Sequence, residues 1–337
     1  MRIMVFDVPA ESGGALSVLH DYYRAAQKDV ENDYVFVISV PELEETDHLK
    51  ILRFPWIKKS WIHRLFFDHM IAHKIVRQYC VERIISLQNI TIPHTKVLQS
   101  VLIHNAIPFS EHRFRFGENR FLWFYQNIIG RSILKSIKRA DHIIVQTQWM
   151  KNACIEKVGV VPEKVEINPP IISIEIEEYF KETKKSLSTF FYPASGFEFK
   201  NHRVVIDACI KLKENGFRDY EIIFTLNGDE NKYVKKLQKT VRKNELPIRF
   251  AGCLSREEVF LTYSKSVLLF PSYLETVGLP LLEAKMHRSP IVVADCPYSR
   301  EILYTESQAR FFDCFSSDQL MTCLKEILTS RECPVYD

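Results

Sequence analysis

The sequence lacks several patterns that would mark a metal-binding, disulfide-bonded or membrane-spanning protein. None of its eight cysteines stands in a Cys-x-x-Cys pair or at metal-ligand spacing, and several fall in apolar segments. This is typical of free thiols that pack in a reducing compartment. No run approaches the roughly 18 apolar residues of a membrane span, and the apolar start at residues 3–8 is too short for a signal peptide. We therefore expect a cytoplasmic protein.

Other absences exclude classes of ligand. There is no Gly-x-Gly-x-x-Gly fingerprint, which argues against a nicotinamide cofactor. There is no Asp-x-Asp pair of the kind that holds a metal with a sugar nucleotide, and no internal repeat or low-complexity tract. We expect neither a cofactor nor a metal.

Charge is distributed unevenly along a chain whose net charge is only +3. Residues 1–50 carry 4 Lys/Arg against 10 Asp/Glu (4 − 10 = −6), whereas residues 51–150 carry 15 against 5 (15 − 5 = +10). Within this basic block, residues 53–67 and 112–125 interleave cations with Trp and Phe. Such segments suit an anionic membrane surface or a lipid diphosphate, although solvated helices with core aromatics stay an open alternative. Since the rest is net acidic, with no nucleic-acid module, we do not expect nucleic acid as a partner.

The length of 337 residues and the 46% apolar content indicate two α/β domains. Strand-like and helix-like segments alternate in both halves, which predicts two doubly wound parallel sheets. We assign residues 1–170 to a first domain and 188–316 to a second. The Pro pair at 169–170 and the charged residues 175–185 predict a linker, placed at 171–187, although the linker signals begin at Val165. Residues 317–337 form an amphipathic end helix.

The most informative pattern is a pair of carboxylates, Glu275 and Glu283, eight residues apart. An apolar strand at residues 267–270 precedes them, and Gly278 and Pro280 open a helix between them. A helix N-terminus at the carboxyl end of a parallel sheet has outward N–H groups and a positive dipole end. The pattern therefore predicts a site for a phosphate or a cluster of sugar hydroxyls.

This stretch resembles the retaining family-4 glycosyltransferases of bacterial surface-polysaccharide synthesis, whose E-x7-E element continues as a Gly-Leu-Pro-x-x-Glu-Ala helix. The resemblance is strong over residues 190–305 and weaker over 1–150. It implies a GT-B fold, two Rossmann-like domains facing each other across a cleft, and an end helix that crosses back to the first domain. It also implies that Glu275 meets the donor sugar, that Glu283 binds the ribose, and that residues 276–279 contribute to donor binding (Thr276, Val277, Gly278 and Leu279).

Lys200 follows the first strand of the second domain and precedes a helix. A cation there can neutralise charge on a departing nucleoside diphosphate. The family commonly carries an Arg five residues earlier, where this chain has Ser195, and Arg203 or a residue of the first domain is left as a substitute. By resemblance the nucleobase stacks near Gly252 and Leu254, although structural turns explain such glycines almost as well.

Two further features of the first domain resemble family elements. Gly13 and Gly14 precede a helix and let a backbone approach a phosphate closely, although a plain tight turn is the commoner reason for such a pair. His104 ends a strand, where the resemblance favours contact with donor sugar or acceptor and a structural role stays open. We count His104 with Lys200 and Glu275 as candidate catalytic residues.

The resemblance implies a retaining, metal-independent hexosyltransferase. It would move sugar from a UDP- or GDP-sugar to a hydroxyl of a lipid-linked glycan, with peripheral contact on the inner face of the cell membrane. Two alternatives remain. One is another GT-B enzyme, such as a sugar-nucleotide epimerase; a phosphorylase would need a pyridoxal-phosphate lysine and a much longer chain. The other is a catalytically degenerate partner of a transferase, which Ser195 keeps open.

Overall fold

The structure is a computed structural model that describes residues 1–11, 13–117, 119–170, 176–306 and 309–330. The chain divides into two compact units, Met1–Pro170 and Ile171–Asp337. Each unit is a parallel sheet with helices between its strands, as the alternating segments predict.

The first unit has a parallel sheet in the order β3-β2-β1-β4-β5-β6-β7. Its strands are β1 (Arg2–Asp7), β2 (Asp33–Ile38), β3 (Leu49–Arg53), β4 (Arg83–Ser86), β5 (Leu98–Leu102), β6 (His142–Val145) and β7 (Val165–Ile167). Its helices are α1 (Gly13–Lys28), α2 (Trp61–Phe66), α3 (Ala72–Gln78), α4 (Arg120–Phe124), α5 (Gly130–Arg139) and α6 (Gln148–Val158). Two π-helical turns, Phe67–Ile71 and Tyr125–Ile129, join α2 to α3 and α4 to α5.

The second unit has a parallel sheet in the order β10-β9-β8-β11-β12-β13. Its strands are β8 (Thr189–Tyr192), β9 (Glu221–Phe224), β10 (Ile248–Phe250), β11 (Val267–Phe270), β12 (Ile291–Ala294) and β13 (Ala309–Phe312). Its helices are α7 (Lys184–Leu187), α8 (His202–Glu214), α9 (Lys232–Lys243), α10 (Arg256–Tyr263), α11 (Leu279–Met286), α12 (Pro297–Ile302) and α13 (Ser317–Ser330).

The strands β11 and β12 in the middle of the second sheet are apolar throughout because helices cover both faces of that sheet. All four residues of β11 and all four of β12 are buried, as expected for strands inside a parallel sheet. In β1 the side chains alternate between two clusters. Met4 and Phe6 join the cluster that includes α3 residues, while Ile3 and Val5 join the cluster that includes α1 residues.

The linker differs from the sequence prediction. Val165–Ile167 is not linker but the edge strand β7, paired with β6, and α7 lies within the predicted linker. Both elements are too short to show a hydrophobic period. The end helix α13 packs against α8 and β13 of its own unit, and its crossing to the first unit stays a prediction. Lys211 of α8 there pairs with Asp318 (Nζ to Oδ1, 2.6 Å). The linker residues 171–175 and the end residues 331–337 lie outside the described part.

The cysteines only partly follow the prediction that they are packing residues. Cys154, Cys209 and Cys296 are buried, whereas Cys80 and Cys253 are exposed and do not serve the core. Cys333 lies outside the described residues. No helix in the described part of the chain is both long and apolar enough to cross a membrane.

The core of the second unit contains an unprotonated histidine, which makes its stability depend on pH. His202 is fully buried, between the rings of Tyr192 and Phe224 with centroids at 4.6 and 4.9 Å. Burial, helped by the Lys200 cation, lowers the pKa of His202 to about 3. The unfolded chain therefore takes up a proton below about pH 6.5 that the folded chain refuses.

We expect the second unit to lose about 2 to 3 kcal/mol of unfolding free energy through His202 between pH 7 and pH 4.5. His202→Phe removes this loss, and urea unfolding at both pH values measures it. The exposed His69 serves as the control, since His69→Gln should keep the wild-type pH dependence. An equal pH dependence in wild type and His202→Phe contradicts the assignment.

Candidate active site

The strand order of the second sheet predicts where a ligand binds, namely at the carboxyl ends of its strands. Counted along the chain, its strands lie in the order 3-2-1-4-5-6, so the direction of winding reverses between β8 and β11. Ligands of open α/β sheets bind outside the carboxyl ends of the strands at this reversal. Lys200 lies in a turn after β8, and Glu275 lies in the loop after β11. The two side chains predicted from separate motifs thus flank the reversal point.

Lys200 and Glu275 form an ion pair between Nζ and Oε1. The side chains are only 18% and 15% exposed, so water screens the pair less than it would at an open surface. An ammonium group has three donors and a carboxylate has two acceptor oxygens. A single bond between them therefore leaves both groups able to bind a ligand. The sequence predicts that both lie at this edge but not that they contact each other.

Hydrogen bonds between two loops hold the pair in place. The Tyr273 N–H donates to the Phe199 carbonyl (3.2 Å), and the Ser272 hydroxyl donates to the same oxygen (3.3 Å). Asn201 Nδ2 donates to the Pro271 carbonyl (3.2 Å) and to the Cys314 carbonyl (2.6 Å). Sequence reasoning missed Asn201, although Asn beside a predicted helix start is a residue that tolerates its positive φ of 60°.

The loop that carries Glu275 enters α11 through Gly278. This glycine has φ of +80°, and a Cβ on it would lie 3.1 Å from the Tyr298 ring. The Tyr298 hydroxyl in turn donates to the Ser272 carbonyl (2.5 Å). Glycine is therefore required here by both backbone and space. Val277 and Gly278 are buried in this turn, Thr276 is partly buried and Leu279 is exposed.

Glu283 lies on α11 and is held by a buried tyrosine. The Tyr263 hydroxyl donates to Glu283 Oε2 (3.0 Å). Burial raises the pKa of Glu283, and the Tyr263 hydrogen bond and the Arg256 cation oppose that rise. The sequence predicts the position of Glu283 but not Tyr263, because the two residues lie on different helices.

The predicted base-stacking segment follows β10 at the same edge of the sheet. Gly252 has φ of +76°, and a Cβ on it would lie 2.8 Å from Asn227 Oδ1. Its N–H donates to the Leu226 carbonyl (3.0 Å). The glycine is thus explained by local structure, and Leu254 beyond it is partly buried. Its contact with a base stays a prediction.

Two residues bear on the second phosphate-binding cation of the family: Ser195, which stands at its usual position, and Arg203, which the sequence leaves as a substitute. Ser195 is exposed in the loop after β8. Arg203 Nε lies 2.9 Å from each carboxylate oxygen of Asp207, one turn further along α8. That carboxylate therefore already holds the Arg203 guanidinium.

In the first unit the predicted residues also lie at strand ends. Gly13 and Gly14 begin α1 after β1 and are exposed, and a Cβ on either would have no atom within 4 Å. His104 follows β5, and its backbone N–H donates to Asn89 Oδ1 (2.8 Å). Its Nδ1 is buried without a partner among the described residues, and burial lowers the pKa of His104 to about 4. The imidazole is thus neutral at pH 7.

Comparison with known proteins shows which family and which characterised proteins this chain is similar to. Residues 175–335 match the family model described as Glycosyl transferases group 1. The O-antigen chain mannosyltransferase RfbU of Salmonella typhimurium is 24% identical over 241 residues, which covers 70% of this chain but 63% of that protein. The processive diacylglycerol alpha-glucosyltransferase of Acholeplasma laidlawii is 25% identical over 276 residues, covering 74% of this chain and 78% of that one.

Solved structures share the fold over almost the whole chain. The sucrose-phosphate synthase of Thermosynechococcus elongatus superposes with a TM-score of 0.73 at 12% identity, covering 98% of this chain and 90% of that one. WaaG, a glycosyltransferase of lipopolysaccharide biosynthesis, gives a TM-score of 0.67 at 13% identity, covering 99% and 96%. At these identities the likeness shows the fold, and it confirms the GT-B prediction. The chain therefore has the GT-B fold, and its residues 175–335, somewhat less than half of its length, match the group 1 glycosyl transferase family.

Proposed function

We propose that the protein is a retaining, metal-independent hexosyltransferase that takes sugar from a nucleoside diphosphate donor, UDP- or GDP-linked, and adds it to a glycan. The observation that carries this proposal is the Lys200–Glu275 pair at the winding reversal of the second sheet. It lies inside the segment that matches the family. A solved relative, HepE of Anabaena, is a complex with UDP and glucose.

The two members of the pair have different tasks when a donor binds. The Lys200 ammonium neutralises negative charge that grows on the diphosphate as it leaves, which is the moment at which a fixed cation helps most. The Glu275 carboxylate accepts hydrogen bonds from the donor sugar's hydroxyls, and the positive end of the α11 dipole lies in the same loop. The Glu283 carboxylate accepts from the ribose. Glu275 and Glu283 thus bind the donor and do not act as an acid and base couple.

Transfer with retention then needs no separate protein base. The bond between the sugar's anomeric carbon and the phosphate oxygen breaks, and a bond to the acceptor oxygen forms on the same face. The acceptor hydroxyl's proton goes to the leaving phosphate oxygen. Lys200 supplies a positive charge where other transferases use a metal ion.

The acceptor is a lipid-linked glycan, approached at a membrane surface. One similar protein is an O-antigen chain mannosyltransferase and another is a diacylglycerol alpha-glucosyltransferase. In the first unit, α2, α4 and their π-helical turns expose an apolar patch in which Trp61 and Phe124 touch, with ring centroids 6.0 Å apart. We call it the aromatic patch, and it consists of Trp61, Ile62, Leu65, Phe66, Met70, Phe121, Phe124 and Ile128, all at least 40% exposed.

The aromatic patch corrects part of the sequence picture. The alternative of core aromatics holds for part of these segments, since Phe67 and Phe114 are buried and Phe54 and Trp56 pack against the core of this unit. The side chains of the aromatic patch instead face solvent. Exposed cations come shortly before or after the patch residues along the chain, among them Lys59, Lys74 and Arg131. Aromatic and aliphatic side chains flanked by cations suit the boundary of an anionic bilayer.

Lys200→Ala and Glu275→Gln should each lower kcat about 10²- to 10³-fold, because each removes a charge that acts on the donor. The measurement is transfer from the donor that a melting screen of UDP-, GDP-, ADP- and dTDP-sugars selects. Glu221 gives a matched control, since it forms an ion pair with Arg249 (2.7 Å) at the opposite edge of the sheet. Glu221→Gln should keep wild-type turnover.

Near-normal turnover of Lys200→Ala or Glu275→Gln, with the fold intact, would contradict the assignment of that residue to the active site. Donor incubated alone separates the alternatives. Conversion to an epimer supports an epimerase, whereas a nucleotide-dependent rise in melting temperature with neither hydrolysis nor transfer supports a degenerate partner.

Tyr263→Phe should move the acid limit of donor binding to higher pH. The Tyr263 hydrogen bond favours ionised Glu283 and so opposes the rise of its pKa. Without it the carboxyl group holds its proton to higher pH and accepts fewer bonds from the ribose. Donor KM measured across pH 5 to about 8 should show the shift in Tyr263→Phe and lose its acid limb in Glu283→Gln. Superimposable profiles in all three proteins exclude a binding role for ionised Glu283.

The triple variant Trp61→Ser, Ile62→Ser, Phe124→Ser should lose binding to vesicles rich in phosphatidylglycerol, measured by co-sedimentation. Wild-type binding should weaken with salt and be small on phosphatidylcholine alone, because cations contribute to it. Val30, 75% exposed elsewhere in this unit, supplies the control Val30→Ser. Undiminished sedimentation of the triple variant contradicts the membrane role of the aromatic patch.

A further inference from the structure

Two cysteines lie level with each other just beyond the neighbouring strands β12 and β13. In the register of these strands Ala294 lies opposite Phe312, and the Asp295 N–H donates to the Phe312 carbonyl (2.8 Å), which continues the pairing past the strand ends. Cys296 and Cys314 each follow two residues after the last paired position. Neighbouring strands lie about 4.8 Å apart. This falls inside the range of Cα separations, about 4.4 to 6.8 Å, that a disulfide bridges.

The two thiols contact each other and differ in character. They share a side-chain hydrogen bond, which lowers the pKa of the Cys314 thiol and raises the pKa of the Cys296 thiol, and burial raises the latter further. Cys296 is 8% exposed, whereas Cys314 is partly exposed. An accessible thiol with a lowered pKa beside a second thiol is the arrangement of a redox-sensitive pair, in which the first is oxidised and the second resolves it.

Other cysteines of the chain show what a packing role looks like. Burial raises the pKa of Cys154 and of Cys209 to about 12, so neither supplies thiolate at neutral pH. Cys323 on α13 is partly exposed like Cys314, but its thiol donates to the Phe311 carbonyl (3.9 Å) and its pKa is raised, mainly by burial. Cys323 is therefore a natural control for Cys314.

The Cys296 side of the pair lies against the loop that carries Glu275. The Cys296 thiol donates towards the Tyr273 carbonyl (3.9 Å), two residues before Glu275, and the Glu275 carboxylate contributes to the raised pKa of Cys296. Cys296 is also the N-cap of α12. That helix carries Tyr298, whose hydroxyl donates to the Ser272 carbonyl in the same loop (2.5 Å). A change at the Cys296 sulfur therefore reaches the Glu275 loop by two contacts.

The Cys314 side of the pair lies against the loop that carries Lys200. The Cys314 carbonyl accepts from Nδ2 of Asn201 (2.6 Å), the residue directly after Lys200. Phe315, the residue after Cys314, packs its ring against Tyr273 with centroids 5.3 Å apart. The backbone of Cys314 is thus part of the framework that fixes the Lys200–Glu275 pair.

We propose that Cys296 and Cys314 form a reversible disulfide when the protein meets a peroxide, and that this bond lowers the use of donor at the neighbouring site. The second half of the inference rests on the proposed transferase function, because it gives the regulation of that site. In a reducing compartment, which the cysteine pattern predicts, disulfides are rare and usually act as transient redox sensors.

The oxidation balances with hydrogen peroxide as the co-reactant. The Cys314 thiolate attacks one peroxide oxygen, the O–O bond breaks, and a sulfenic acid and hydroxide form. The Cys296 sulfur then attacks the sulfur of the sulfenic acid, the S–O bond breaks, and the oxygen leaves as water. Two thiols and one peroxide molecule thus give one disulfide and two water molecules, with two electrons passing from sulfur to peroxide. A dithiol reductant reverses the bond by exchange.

The disulfide should displace both loops of the donor site. The two sulfur atoms must approach to about 2.05 Å, and Cys296 loses the hydrogen that it directs at the Tyr273 carbonyl. Cys314 moves together with the carbonyl that Asn201 binds. A misplacement of about 1 Å can cost about 10²-fold in rate. We therefore expect the oxidised protein to show a donor kcat/KM at least about tenfold lower than the reduced protein.

The test uses the full chain as wild type, Cys314→Ser, Cys296→Ala and the control Cys323→Ser, each treated with hydrogen peroxide and then with dithiothreitol. Mass spectrometry of peptides, after free thiols are blocked, reads the bond directly. We expect a Cys296–Cys314 cross-link in wild type and Cys323→Ser. In both proteins transfer should fall on oxidation and recover with dithiothreitol. In Cys314→Ser and Cys296→Ala the ratio of oxidised to reduced turnover should stay near one.

Two results would overturn the inference. One is the absence of the cross-link in peroxide-treated wild type, or its presence with unchanged transfer. The other is a loss of transfer on oxidation that is as large in Cys314→Ser as in wild type, since another group would then be responsible. Failure of the transferase function is read separately, as reduced wild type that neither melts higher with a sugar nucleotide nor transfers sugar. That result removes the donor half of the inference, while the cross-link is read without any substrate.

Discussion

The second unit is organised around the ion pair between Lys200 and Glu275. A pair this little exposed gains small net stability, because removing two charges from water offsets most of their attraction. The structure nevertheless holds it from both sides, with loops after β8 and β11 bonded to each other through Phe199, Ser272, Tyr273 and Asn201. These hydrogen bonds fix two charges at the winding reversal although the charges add little stability, which is better explained by ligand binding than by folding.

The two sheets have the same kind of winding reversal but carry different polar side chains there. In the second unit the polar groups at the reversal satisfy one another, with Lys200 bonded to Glu275 and Tyr263 bonded to Glu283. In the first unit Asp7 and Gln88 are buried, and among the described residues their side chains form no pair of this kind.

Most elements and the second-unit site could be predicted from the sequence, because their signals are local. The buried run at residues 267–270 and the Gly278–Pro280 helix start both appear in the structure as predicted. Edge strands β3, β7 and β13 were not predicted, since three to five residues at a sheet edge show little periodicity. The Lys200–Glu275 contact spans 75 residues, and only the strand order brings it about.

The central claim is that the Lys200 and Glu275 side chains act together, as one functional unit, on the bound donor. A double-mutant cycle on donor kcat/KM, with Lys200→Met, Glu275→Gln and both together, measures their coupling. When two residues act as a unit, the effects of replacing them do not add. We therefore predict that kcat/KM of the double variant is hardly lower than kcat/KM of the less active single variant. Multiplicative losses, as for two independent surface residues, would contradict it.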